Sequence, residues 1–293
     1  MRILFSLITV VVIFSSCSEN HFREDKIFAG GIYAPASTLN LGKQVYTEYC
    51  MACHGVEGDG AGVASKGMKV PPRDFRTGVI KFGDVVAGDL PHDESIIKLL
   101  RAGLHGTAML PWDLSDDQAT AVVQYIKTFA PKVWEGKDKE LGKKIKVSMD
   151  PYKAALKSSV IQKGKEAYHM IANCQSCHRA YATKPELQSM SMKYEGVKID
   201  EFDEDLYLPK AQYYDDWNTQ VLPPDFTYHE LRSINNLEDI YFRLAAGVGG
   251  GVMPSWQGTI EEDQIWAIAY YVKYLMDLKE NKTARKELLN SLK

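Results

Sequence analysis

Apolar residues fall at Ala119, Val122, Ile126 and Phe129 in one stretch, and at Ile265, Ala269, Val272 and Leu275 or Met276 in another. Spacings of three and four predict a helix with one buried face in each place, and these stripes read as core with no ligand role. Each is preceded by a capping-box pattern, Ser115-Asp116-Asp117-Gln118 and Thr259-Ile260-Glu261-Glu262, which predicts where the helices begin. Earlier in the chain Gly42, Tyr46 and Cys50 recur every four residues, so a small residue, an aromatic ring and a thiol share one helix face. Gly164 and Tyr168 open a second helix in the same manner. There the step from Tyr168 to Cys174 is six residues, against four from Tyr46 to Cys50, which predicts a looser turn at that helix end.

The matched openings and closings enclose matched loops. Pro71-Pro72-Arg73-Asp74-Phe75 answers Pro223-Pro224-Asp225-Phe226, and Met109-Leu110-Pro111-Trp112 answers Met253-Pro254-Ser255-Trp256, with Trp three residues after Met each time. The chain is an internal duplication. Residues 18–38, His21 included, are polar or turn-forming and read as a tether. From Pro131 to Lys165 there are ten lysines against four acids, a net of +6, which reads as a solvated linker or a surface for an acidic partner. Residues 179–222 interrupt the second unit with an acidic, aromatic-rich insertion (Asp200 to Asp205, then Tyr207, Tyr213, Tyr214 and Trp217). It reads as a lobe at the surface, or as an element that docks on the basic linker or on a partner. Residues 279–293 read as a polar tail or frayed helix end.

Both repeats carry the same chemical run, Cys50-Met51-Ala52-Cys53-His54 and Cys174-Gln175-Ser176-Cys177-His178. Two cysteines three apart lie within about one helical turn, where both thiols reach the vinyl side of one porphyrin and the next residue offers its imidazole to the iron. This is the attachment signature of c-type haem, and it predicts two covalently bound haems. A zinc half-site or a redox dithiol would explain a bare CxxC, but neither calls for a histidine directly after both pairs.

Length and composition change the picture only at the edges. The 293 residues suffice for two domains, and 45% apolar with 25% charged residues is the balance of an ordinary globular protein. A formal charge of −3 argues against a nucleic-acid partner. Of five cysteines the motifs use four, so no disulfide forms within the chain, and Cys17 is left over. Met1-Arg2 and the apolar run Ile3 to Phe14 have the length of a signal-peptide core and are too short to span a bilayer. The run ends in Ser15-Ser16-Cys17, which resembles a bacterial lipoprotein processing box, although Phe14 stands where that box usually has Leu. A plain signal peptide is the alternative. Cys17 is then the lipid-attachment residue, and acyl chains there hold the protein to a membrane without a spanning helix.

Residues 39–131 and 161–278 together resemble two consecutive class I cytochrome c domains, in the order helix, CxxCH, Pro-containing loop, Met loop, C-terminal helix. The resemblance implies an all-α fold of a few helices around one haem in each domain. By that resemblance Cys50, Cys53, Cys174 and Cys177 bind the cofactors, His54 and His178 are the proximal iron ligands, and Met109 and Met253 the distal ones. A carbonyl in each diproline loop would accept the proximal imidazole's hydrogen bond. Met51, Met68, Met190 and Met192 lie on the wrong side for a distal ligand. His105, four residues before Met109, is the rival in the first unit, but Gly249 stands at the corresponding place in the second. His92, His169 and His229 read as surface or loop residues.

The resulting expectation is residues 1–17 as signal peptide, 18–38 as tether, 39–131 as the first domain, 132–160 as basic linker and 161–278 as the second domain. Such a protein carries single electrons between redox protein partners or into a respiratory complex, lipid-anchored on the periplasmic side of a bacterial membrane, with no small-molecule substrate and no catalytic residue. The alternatives are a cytochrome subunit of a larger oxidoreductase, a dihaem peroxidase, or a thiosulfate-oxidising enzyme. The last two need an open iron or an extra cysteine ligand.

Overall fold

The computed structural model describes residues 21–153, 158–210 and 213–292, and it is mostly helical, in two tandem units of one arrangement. The first unit opens with an antiparallel hairpin, β1 (Lys26–Phe28) and β2 (Ile32–Ala34), with Lys26 opposite Ala34 and Phe28 opposite Ile32. Its helices are α1 (Ala36–Val45), α2 (Met51–His54), α3 (Asp93–Ala102) and α4 (Asp116–Lys127), followed by the single turn α5 (Pro131–Trp134). The second unit has α6 (Ser158–Glu166), α7 (Lys184–Tyr194), the hairpin β3 (Tyr213–Tyr214) and β4 (Gln220–Val221), then α8 (Leu237–Ala246), α9 (Glu262–Asp277) and α10 (Lys282–Ser291).

Each unit is closed by its first helix crossing its last against a glycine. A Cβ on Gly42 would lie 2.1 Å from the Ala121 carbonyl oxygen, and one on Gly164 would lie 2.0 Å from that of Ala267. Only glycine allows backbones so near. The apolar stripes are buried as patterned except at Phe129, which is half-buried, and in α9 Leu275, fully buried, takes the place that the spacing left open between it and Met276. Burial in α4 goes further than the stripe. Lys127 is 1% exposed, its ammonium 2.5 Å from Asp93 and 5.3 to 5.4 Å from the Trp134 and Phe28 rings. Burial pulls its pKa down while the Asp93 carboxylate opposes the shift.

At helix starts the two capping boxes part company. Ser115 caps α4, with Gln118 N–H donating to its hydroxyl at 3.2 Å and Gln118 Oε1 accepting from Ser115 N–H at 3.1 Å. In α9 the N-cap is Glu261 rather than Thr259, and Gln264 Oε1 holds the Glu261 N–H at 3.1 Å. The Thr259 N–H is already engaged, donating to the Trp256 carbonyl at 3.1 Å, so the chain there is still a turn.

The stretches outside the repeat are more ordered than their polarity suggests. From residue 21 the segment read as a tether includes the β1–β2 hairpin, whose Phe28 and following Ala29 are fully buried in the first core. Three-residue strands are too short to show a period, which is why the sequence hid them. The lysine-rich segment after α4 lies across both units. Trp134 Nε1 donates to Gly78 O at 3.1 Å, and Ser148 Oγ joins Tyr241 and Trp266 of the second unit at 3.0 Å each. Its charges pair outward, Lys144 with Glu94 at 2.5 Å and Lys163 with Asp263 at 2.7 Å. In the insertion Asp203 and Asp205 pair with Lys210 beside them rather than with the basic linker. The end of the chain is the helix α10, with Ala284 and Leu288 packed on the second core.

Candidate functional site

Each CxxCH run sits where the first helix of its unit unwinds. Tyr46–Cys50 forms a π turn between α1 and α2, and Ala167–Ile171 forms one after α6. A π turn holds one residue more than an α turn and re-aims the side chains that follow. In the second unit the two additional residues make a further turn, with Asn173 left-handed at φ 43°, before a 3-10 turn over Cys174–Ser176. The repeated tyrosines pin the far end of the motif. Tyr46 donates its hydroxyl to Gly55 O at 2.7 Å and Tyr168 to Arg179 O at 3.1 Å, in both cases the carbonyl of the residue after the motif histidine.

The two histidines are backed alike. His54 stacks on Phe75 with centroids 4.5 Å apart at 20°, and His178 stacks on Phe226 at 4.8 Å and 22°. His54 Nδ1 donates to the Arg73 carbonyl at 3.0 Å. Arg73 stands two residues before Phe75, as Pro224 does before Phe226, so the acceptor in the first unit lies one residue past the diproline. In the second unit the Pro224 carbonyl faces the His178 ring and opposes its fall in pKa, but the approach falls short of a hydrogen bond and leaves Nδ1 buried without a partner. Burial lowers the pKa of His54 and takes that of His178 down to about 4. Both imidazoles are therefore neutral near pH 7, the form whose Nε2 lone pair binds a metal.

Met109 and Met253 are half-buried at the margins of the two cores, on loops of one design. Gly103 and Gly247 end α3 and α8 at φ of 66° and 74°, a region that favours glycine. The chain then doubles back. Leu104 N–H donates to Met109 O at 2.8 Å and Val248 N–H to Met253 O at 3.1 Å, while Trp112 and Trp256 N–H donate to Leu100 O and Leu244 O at 3.0 and 3.1 Å. The other candidates sit elsewhere. His105 is exposed and its Nε2 meets Asn235 Oδ1 of the second unit at 3.0 Å; Met190 is buried in a satellite cluster and Met192 is exposed. Met51 and Met68 are half-buried, with Met51 packed at the first core. His92 meets Gly142 O at 2.9 Å, and His229 accepts from Asp225 N–H at 2.9 Å.

His169 differs from the loop residue its sequence context suggested. It is 1% exposed, with Nδ1 donating to Lys165 O at 2.7 Å and Nε2 accepting from Tyr181 N–H at 3.1 Å, and burial takes its pKa to about 4. Both nitrogens are used by the fold.

These donors fit a c-type haem. Cys50, Cys53, Cys174 and Cys177 are all free thiols. Among the described residues no three or more His, Cys, Asp or Glu are grouped to hold a metal ion, so the two CxxC pairs do not combine into a four-cysteine zinc site. Between the units lies a cluster of half-buried cations suited to a cofactor bearing carboxylates. Burial lowers the pKa of Arg73, to about 10, and that of Lys81; Asp215 opposes the shift of each and Asp74 that of Arg73, while repulsion from Arg232 and, for Lys81, from Arg73 adds to it. Cys17 lies outside the described residues.

A helical fold that presents CxxCH, a carbonyl-backed imidazole and a glycine-capped methionine loop twice over is that of a c-type cytochrome. The family "Cytochrome C oxidase, cbb3-type, subunit III" matches residues 37–126 and 159–272, once over each repeat, and the chain belongs to that family. Its chemistry is accordingly electron transfer by covalently bound c-type haem. Among solved structures the chain is similar to a chain of the Kuenenia stuttgartiensis reducing HAO-like protein complex, at 29% identity and a TM-score of 0.64, over 80% of this chain and 95% of that one. No curated protein sequence matches it.

Proposed function

We propose that the protein is a dihaem carrier that passes electrons singly between redox protein partners on the periplasmic side of a bacterial membrane, held there by lipid on Cys17. In this reading Cys50 with Cys53 and Cys174 with Cys177 would hold the two haems through thioether links, and His54, His178, Met109 and Met253 would ligate their irons. The observation that carries it is the doubling of the whole apparatus. Both motifs have the histidine–phenylalanine stack, the carbonyl behind the ring and the methionine loop doubled back on its glycine. His105, turned toward Asn235, offers no competing ligand to the first crevice. Ligated in that way, each haem would supply outer-sphere electron transfer rather than peroxide chemistry, and the protein would set its potential through ligand, burial and hydrogen bonding.

The purified protein is expected to give two haems per chain in a pyridine haemochrome assay, with no colour leaving in acid-acetone. Carbon monoxide should bind the reduced form slowly and incompletely. One haem per chain would sink the two-site reading, and rapid carbon monoxide binding with fast peroxide consumption would make the protein an enzyme instead.

No helix among the described residues is long and apolar enough to cross a membrane, so attachment in this reading rests on the acylated N-terminus. Cys17→Ser is expected to move the protein from the membrane to the soluble fraction, or to stop its processing. Unchanged fractionation of a processed protein would show that something other than lipid holds it.

A second reading, a subunit of a larger oxidoreductase, is favoured by the match that spans 95% of a chain from a protein complex. It shares all of the haem chemistry and differs in the partner. Co-purification of the natively expressed protein with a stoichiometric partner would decide for it.

A further inference from the structure

The insertion in the second unit reaches the first haem site. Trp217, in the turn between β3 and β4, donates Nε1–H to Asp74 O at 3.2 Å, and its ring lies 3.5 Å beneath the Arg73 guanidinium carbon. Arg73 is the residue whose carbonyl holds His54 Nδ1. The other side of the same turn is tied to the second methionine loop. Asp216 N–H donates to Gly250 O at 2.8 Å, and Gly249 N–H to Lys81 O at 2.9 Å. A Cβ on Gly250 would come within 2.4 Å of the Trp217 ring, so the tryptophan is wedged between Arg73 and that loop. Lys81, 3.2 Å from Asp215 and 5.7 Å from the Trp217 ring, closes the edge.

We infer that Trp217 is a positioning residue for the first haem site: it fixes the half-buried Arg73 cation beside the His54 side of that site and so holds the first haem's potential up. The inference rests on the two-haem reading above. Oxidation removes one electron to the acceptor and leaves the iron with one more positive charge, so a fixed cation nearby disfavours the oxidised state. That effect grows as water is excluded. A cation–aromatic contact fixes a guanidinium by its face while the ring displaces water from that face. The neighbouring side-chain carboxylates do not cancel it. Asp215 is shared with Lys81, and Asp74 is paired with Arg76 at 2.7 Å. Without the ring, Arg73 keeps its backbone bond to His54, but its side chain turns to solvent, which screens its charge.

The test uses the full chain with both haems, counted first by haemochrome, so that loss of the two-haem reading shows as a haem count and loss of this inference as a potential. Spectroelectrochemical titration of the wild type, Trp217→Ala, Trp217→Phe, Arg73→Gln and the Trp217→Ala/Arg73→Gln double variant is read for both haems, assigned by adding Met109→His. Trp217→Ala and Arg73→Gln should each lower the first haem's potential by similar amounts and leave the second haem's nearly unmoved. The double variant should fall no further than Arg73→Gln alone. Trp217→Phe keeps the stack without the Nε1–H and should stay near wild type. If Trp217→Ala does not mature, Trp217→Leu, which keeps apolar bulk without the aromatic face, carries the same expectation. An unchanged first potential in Trp217→Ala overturns the inference. So does additivity with Arg73→Gln, or a shift in Trp217→Phe as large as in Trp217→Ala.

Discussion

Gly42→Ala is expected to destabilise the first unit by at least about 3 kcal/mol, the upper part of the range for overpacked positions. The added carbon would stand 2.1 Å from a backbone oxygen of Ala121 and 2.8 Å from Cβ of Tyr125. Neither is the free end of a side chain, so α1 and α4 must separate. Alanine's better helix propensity returns only about 1 kcal/mol. With domains stable by about 5–15 kcal/mol, the loss is a large share of the total. Gly164→Ala should act alike on the second unit, where the distance is 2.0 Å. Thermal melts followed in the haem absorption bands of the two variants would show it, and a melting temperature equal to that of the wild type would mean the helices do not cross so closely.

Met109→His is expected to produce the largest change in the electron chemistry. A thioether is a soft ligand that favours ferrous iron, whereas an imidazole favours ferric, so the first potential should drop. Axial ligation spans about 0.8 V across haem proteins, and this exchange accounts for a substantial part of that range. The weak long-wavelength band of ferric iron bound to methionine should fall by about half, the second haem keeping its share. An untouched band with an unmoved potential would remove Met109 as ligand. Because His105 points to Asn235, a new ligand would then have to come with a rearranged loop.

The duplication was legible because it is written in residues whose types matter. A glycine at each crossing, a tyrosine before each motif, a phenylalanine behind each histidine and a methionine three residues before a tryptophan are all side-chain requirements, and each recurs. The hydrogen-bond acceptor for His54 was legible only to its loop. Any residue supplies a carbonyl, so nothing in the identity of Arg73 marks it, whereas the diproline drew the eye one residue short. Trp217 was singled out with its aromatic neighbours, but where it docks depends on two-residue strands that carry no period. The burial of Lys127 was also hidden, since a lysine at the end of an amphipathic helix reads as solvent-facing until Asp93 and two rings are found around it.

The crossing at the glycines also sets an order of events. In each unit the helix that carries the glycine is the first helix made and the helix it meets is a late one, so neither unit can close until α4 or α9 exists. Joining chain ends across so long a loop is entropically slow. The CxxCH run lies inside that loop, and Cys50 is 8% exposed once it has closed. In the two-haem reading a porphyrin bonded before α4 or α9 docks would be enclosed as that helix closes the unit, so the docking of this late helix, rather than the stability of the finished fold, would time the step. On that reading the first unit can close once Lys127 is made, while the second unit's helices are still to be formed, so the N-terminal site would be the first enclosed.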